Sequence, residues 1–188
     1  QSAGTLHAFR FEVTDGALVL GDVALTTATG YNQLFLQASG GIQQLAGDML
    51  VGSADIRAGS GATTLGNITV AAGTGNALYL SGDAITTGDL LAPSLEVQGS
   101  DLTLGSVTTT GTNRGFGQAG YTCIARLGTC LYPLDDLSLS ASGQITTTGN
   151  ISSATSAIVS AGTGIDVDGG AGTLTGGHYT NTFYYTDT

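Results

Sequence analysis

LTLGSVTTTG, from Leu102 to Gly111, carries the fold in miniature. Leu102 and Leu104 flank Thr103, an alternation of period two that builds a short strand with one buried face. Gly105 and Ser106 then allow a sharp corner, and Val107 opens a second short strand that runs into threonines. The phrase returns along the chain as LVLGDVALTTATG from Leu18, TTLGNITVAAGTG from Thr63, LYLSGDAITTGD from Leu78 and LSLSASGQITTTGN from Leu137. Further period-two pairs are Val23/Leu25, Leu34/Leu36, Ile68/Val70, Leu95/Val97 and Ile165/Val167.

Amphipathic helix is excluded along most of the chain, because glycine, threonine and serine interrupt every window long enough to hold one. A recurring unit of strand, corner and strand predicts an all-β fold, a right-handed parallel β-solenoid, in which the alternating Leu, Ile and Val of each coil stack on those of the next. Uneven spacing between the copies predicts coils of different length. The same pattern of short strands and turns leaves a β-sandwich as the structural alternative. The predicted organisation is a single β-rich domain over 1–188, with an N-terminal strand or cap at 1–16, coils at 17–111, a Cys-containing insertion at 112–133, coils at 134–177 and an aromatic C-terminal strand at 178–188.

Composition narrows the function. The 31 glycines and 41% hydrophobic residues beside only 10% charged ones predict a folded chain, since disordered segments are poor in apolar residues and rich in charge or proline. Four arginines, Arg10, Arg57, Arg114 and Arg126, stand against 14 acidic residues for a net charge of −10. That balance argues against nucleic acid and against an anionic membrane surface, both of which call for a clustered cationic face. No apolar run approaches the roughly 20 residues of a membrane-spanning helix. The opening QSAGTLHAFRF lacks the regions of a signal peptide and reads as a mature, secreted chain.

The phrases LTLGSVTTTG, GQITTTGNISS and AIVSAGTGIDVDGGAGTLTGG resemble the passenger repeats of filamentous-haemagglutinin-type adhesins and other autotransporter-like secreted proteins, over roughly Ala17 to Thr110 and Leu137 to Gly177. The resemblance is one of repeat style. It implies a secreted β-helix at a bacterial surface and brings no catalytic residue with it.

Two regions depart from that style. The insertion, TNRGFGQAGYTCIARLGTCLYP, gathers Arg114, Phe116, Tyr121, Arg126 and Tyr132, and reads either as a protruding loop that meets a ligand or as a lid that buries its own rings. Cys123 and Cys130, the two cysteines of the chain, are predicted to form a disulfide across it in an oxidising compartment. The ends are aromatic: Phe9 and Phe11 near the start, then Tyr179, Phe183, Tyr184 and Tyr185 near the finish. A solenoid has two open edges, and such strands either cap them or join neighbouring subunits, so these six are the candidate assembly residues.

Chemistry is sparse. Two histidines, His7 and His178, at opposite ends support neither a Ser-His-Asp nor a Cys-His site. The acidic pairs Asp135/Asp136 and Asp166/Asp168 lack the basic partners that a polysaccharide-active β-helix enzyme places beside its carboxylates. Asp166 and Asp168 are also the candidate calcium ligands, short of the six to eight oxygens that calcium takes. Asn67 and Asn150 each begin an acceptor pattern for glycosylation. The threonine pairs Thr26/Thr27, Thr86/Thr87, Thr109/Thr110 and Thr147/Thr148 suggest a hydroxyl ladder, as in ice-binding solenoids, or simply good strand formers. The expected function is non-enzymatic and cofactor-free: an extracellular, self-associating homopolymer subunit of a bacterial surface fibre or layer, with an adhesin module for a host or carbohydrate ligand as the alternative.

Overall fold

The computed structural model describes residues 16–21, 23–24, 33–72, 77–111, 122–124, 129–131, 136–154, 157–175 and 182–185; for 23–24, 122–124, 129–131 and 182–185 only the backbone is described. The chain winds through about six turns of a β-solenoid. Three seven-stranded parallel sheets form its sides, and successive strands pass from sheet A to sheet B to sheet C before the next level begins. Sheet A comprises Leu18–Leu20, Ile42–Gln44, Thr63–Leu65, Ala84–Thr87, Asp101–Leu104, Gln144–Thr147 and Gly164–Val167. Sheet B comprises Val23–Ala24, Met49–Val51, Ile68–Val70, Leu90–Ala92, Val107–Thr109, Ile151–Ser152 and Leu174–Thr175. Sheet C comprises Gln33–Ala38, Ser53–Ala58, Leu78–Ser81, Leu95–Gly99, Leu137–Ala141, Ala157–Ala161 and Thr182–Tyr185. A two-stranded antiparallel hairpin, Thr122–Ile124 with Thr129–Leu131, stands apart in the insertion. Every pairing within the three large sheets is parallel, which removes the sandwich alternative, since sandwich sheets are antiparallel.

The core follows from register. In sheet C, Leu36, Ile56, Leu80, Val97, Leu139 and Val159 stand directly above one another, and all six are fully buried. A sheet B column runs Met49, Ile68, Leu90, Val107 and Ile151, and a sheet A column carries Ile85, Leu102 and Ile145. One hydrophobic cluster unites them. Burying each Leu or Ile contributes about 1.5–3 kcal/mol, set against the ordering of the coil that carries it. Register partners on adjacent levels lie between 17 residues apart, as in Leu78 and Leu95, and 26 apart, as in Val23 and Met49, except across the insertion, where Leu95 meets Leu137 and Val107 meets Ile151, which is why the repeated phrase is unevenly spaced.

Corners hold the levels together. Between sheets C and A, a Cβ on Gly59 would lie 2.1 Å from the Ser39 carbonyl oxygen and one on Gly162 would lie 2.0 Å from that of Ser142, so only glycine lets one coil settle on the next there. Between sheets A and B, the side-chain oxygens of Asn67, Asp89 and Asn150 accept the backbone N–H of Asp89, Ser106 and Thr173 on the next level, at 2.7, 2.7 and 2.9 Å. Asn67 also donates its Nδ2 to Asp48 on the level below, at 3.0 Å. Both acceptor-pattern asparagines are thus rungs of an amide ladder.

Candidate functional site

Outward positions of sheet C carry the most chemically varied surface among the described residues. One row reads Phe35, Asp55, Tyr79, Glu96, Ser138, Ile158, and the row two residues along reads Gln37, Arg57, Ser81, Gln98, Ser140, Ser160. Asp55 is short and leaves room above its own level, and Arg57 folds back into that room. Its Nε and Nη2 donate to the two Asp55 carboxylate oxygens at 2.7 and 2.6 Å. The guanidinium carbon then lies 5.7 Å from the Phe35 ring centre on one level and 5.3 Å from that of Tyr79 on another, a cation held between two rings. Hydrogen bonding to Asp55 holds the Arg57 guanidinium above its ordinary value, against the opposing effect of burial. Glu96 repeats the motif in neutral form: the Gln98 Nε2 donates to its Oε1. Partial burial pushes the Glu96 carboxyl above its ordinary value, and the Gln98 hydrogen bond opposes the shift.

Beside these rows, along the sheet C to sheet A corner, runs an open groove of about 540 Å³. It exists because Gly59, Gly82 and Gly99 offer no side chains at successive corners, and its walls carry Ser60, Ser81, Asp83 and Gln98.

A second polar constellation lies inside the wall. Asp136, buried, sits where the insertion returns to sheet C. Its Oδ2 accepts the Thr109 hydroxyl at 2.5 Å and the Ala154 N–H at 3.1 Å, and its Oδ1 accepts the Ser153 hydroxyl at 2.6 Å. The Asp136 carbonyl accepts the Leu95 N–H at 2.8 Å, while Gly111, where the insertion departs, donates to the Pro93 carbonyl at 3.1 Å. A carboxylate so engaged closes the two feet of the insertion and is unsuited to acid–base work.

The sites expected from sequence are distributed as follows. Cys123 and Cys130 are register partners in the hairpin, directly opposite each other, and their side chains lie outside what the structure describes. Arg114, Phe116, Tyr121, Arg126 and Tyr132 lie outside the described residues, as do Phe9, Phe11 and Tyr179. Phe183, Tyr184 and Tyr185 fall on the last strand of sheet C, in register with Val159, Ser160 and Ala161. Asp166 continues the outer row of sheet A above Thr146, while Asp168, with φ of 50°, opens a short 3-10 turn. Among the described residues no group of three His, Cys, Asp or Glu side chains gathers that would hold a metal ion. Thr26/Thr27 lies outside the described residues, and the other threonine pairs do not stack as pairs: Thr87, Thr109 and Thr147 turn inward and are buried, and the outward ladder of sheet A is Thr64, Thr86, Thr103 and Thr146.

Sequence reading singled out neither the sheet C face nor the Asp136 clasp. The D-x-R and E-x-Q spacings were visible, but their alignment on one face depends on which strands share a sheet. Among the described residues no helix is long and apolar enough to cross a membrane. No protein-family model, curated protein or solved structure matches the chain.

Proposed function

We propose that this chain is a non-enzymatic, extracellular structural module, a solenoid building block of a bacterial surface fibre or layer that self-associates through its ends. One observation carries the reading: the aromatic segment Thr182–Tyr185 is the terminal strand of sheet C, paired on one side with Ala157–Ala161 and, among the described residues, with no strand beyond it. A terminal parallel strand presents a row of backbone donors and acceptors, and an equivalent strand from another subunit satisfies them while extending the sheet. The resemblance of the repeat phrases to secreted passengers supports the location. We take the coil as right-handed, the sense of nearly all parallel crossovers.

The disulfide belongs to the same reading. Residues directly opposite in an antiparallel pair have Cα atoms about 4.5–5.5 Å apart, inside the range that a Cys–Cys bridge spans. Cys123 and Cys130 hold such positions, and an oxidising exterior joins them.

The test is electron microscopy and light scattering of the purified chain, without added ligand, beside a variant lacking His178 to Thr188 and a Phe9→Ser/Phe11→Ser variant. Polymers are expected from the intact chain only. A chain that stays monomeric at every concentration, or a truncated form that polymerises as well, ends the fibre reading.

A further inference from the structure

We propose that the groove beside sheet C, with the Ser81 hydroxyl and Gln98 amide in its wall and Tyr79 two residues before Ser81 on the same strand, binds a neutral, extended oligosaccharide. The inference goes beyond the structural role above and adds an adhesive one.

Shape excludes most other small ligands. The groove is open and its floor is glycine backbone, so it has none of the enclosed apolar volume that holds a lipid or a planar cofactor. Its walls supply hydroxyl and amide groups instead. The Ser60 and Ser81 hydroxyls and the Gln98 amide oxygen have no hydrogen-bond partner among the described residues, since Gln98 spends its Nε2 on Glu96. Asp83 accepts the Ser100 hydroxyl through Oδ1, at 2.6 Å, and its carboxylate has acceptor capacity to spare. Closely spaced hydroxyl, amide and carboxylate groups match the alternating donors and acceptors of a sugar's hydroxyls.

Charge selects within that class. The one cation among the described residues, Arg57, is already paired with Asp55, while Asp83 lines the groove in a chain of net charge −10. An anionic polymer is repelled by this field. Tyr79 adds an aromatic group nearby: it is half-buried, held by the Arg57 guanidinium, and lies two residues from the groove residue Ser81 on the outward face of the same strand, within reach of the C–H face of a pyranose ring. The groove crosses three successive sheet C strands, Ser53–Ala58, Leu78–Ser81 and Leu95–Gly99. At about 4.8 Å per strand it has a length on the order of two hexose units, so a linear oligosaccharide lies along the axis rather than end-on.

The experiment titrates the full chain with cellotetraose, maltotetraose and the tetramer of N-acetylglucosamine, with tetragalacturonate and spermine as charged comparisons, read by saturation-transfer NMR and calorimetry. At least one neutral tetrasaccharide binds at millimolar concentration or below. Tyr79→Ala weakens it about three- to tenfold, the loss expected for a stacked ring. Ser60→Trp, at an exposed corner remote from the core, fills the groove and abolishes binding with the melting temperature unchanged, which decides the matter even where Tyr79→Ala disturbs folding. The proposal is overturned if no neutral tetrasaccharide binds, if Ser60→Trp binds as the parent does, or if tetragalacturonate or spermine binds in preference. Polymer formation is scored separately on the same samples, so loss of sugar binding and loss of assembly are read independently.

Discussion

Replacing Asp136 by alanine tests whether a buried carboxylate secures the insertion. The substitution removes the acceptor for two buried hydroxyls, those of Thr109 and Ser153, which are 3% and 4% exposed. The Ala154 N–H keeps a weaker partner in the Thr109 Oγ1 at 3.3 Å. Leaving the buried Thr109 hydroxyl without its acceptor costs about 1–3 kcal/mol and the lost charged hydrogen bond from Ser153 about 1.5–3 kcal/mol, so Asp136→Ala is expected to destabilise the solenoid by about 2–5 kcal/mol. Thr109→Val removes one donor and leaves the carboxylate with Ser153 and Ala154, at a cost of about 1–2 kcal/mol. Because the two residues touch, the double variant loses less than the sum, with a coupling of about 1–2 kcal/mol. Urea unfolding followed by circular dichroism near the β-sheet minimum measures all three. A cost for Asp136→Ala below about 0.5 kcal/mol, the range of an ordinary surface change, or strict additivity in the cycle, refutes the clasp.

Three further outcomes follow from the packing and charge. Leu80, fully buried between Ile56 and Val97, loses about 3–5 kcal/mol on truncation to alanine because fixed levels on both sides prevent collapse, and a cost below about 1 kcal/mol in urea unfolding contradicts the stacked-level account. Alkylation without reductant followed by intact-mass measurement is expected to add nothing to Cys123 and Cys130, and uptake of two alkyl groups rules out the bridge. Glu96 titrates above its ordinary 4.5 in the folded chain, so its contribution to stability is fully present below that value and is lost as pH rises through the folded-state value; Glu96→Gln should therefore gain stability over the parent at neutral pH and match it in acid, and a gain that persists in acid dismisses the burial account.

How far the sequence carries varies by feature. The apolar pairs Leu34/Leu36, Leu78/Leu80, Leu95/Val97 and Leu137/Leu139 were legible because period-two burial is local, and all eight residues are buried in sheet C. Leu25 lies outside the described residues, so the Val23/Leu25 pair stands untested there. The repeated phrase pointed to the parallel solenoid that the structure shows, but it left the sandwich open, since parallel or antiparallel pairing is decided by contacts more than a dozen residues apart. The threonine pairs misled for a local reason: in Ala84–Thr87 and Gln144–Thr147 the second threonine fills a corner of the core, bonding the nearby Gly88 and Gly149 carbonyls at 2.9 and 2.6 Å. A small hydroxylated side chain satisfied by its own turn is as good a core residue there as valine. Asp136 read as one of two adjacent acids and gave no sign of burial, because its donors, Thr109 and Ser153, are 27 and 17 residues away in the chain.

The winding of the chain also sets how the rod bears load. Tension along the axis falls on the hydrogen bonds between levels, which open in sequence from an end, because among the described residues every strand runs around the axis within its own level. Outside the insertion, adjacent levels are 17 to 26 residues apart in the chain, so each such level that peels away adds a slack of about 60–90 Å while shortening the folded rod by about 4.8 Å. Such a module yields in small, recoverable steps instead of snapping, and a surface fibre built from it would damp a sudden pull through successive lengthening while its remaining levels stay folded.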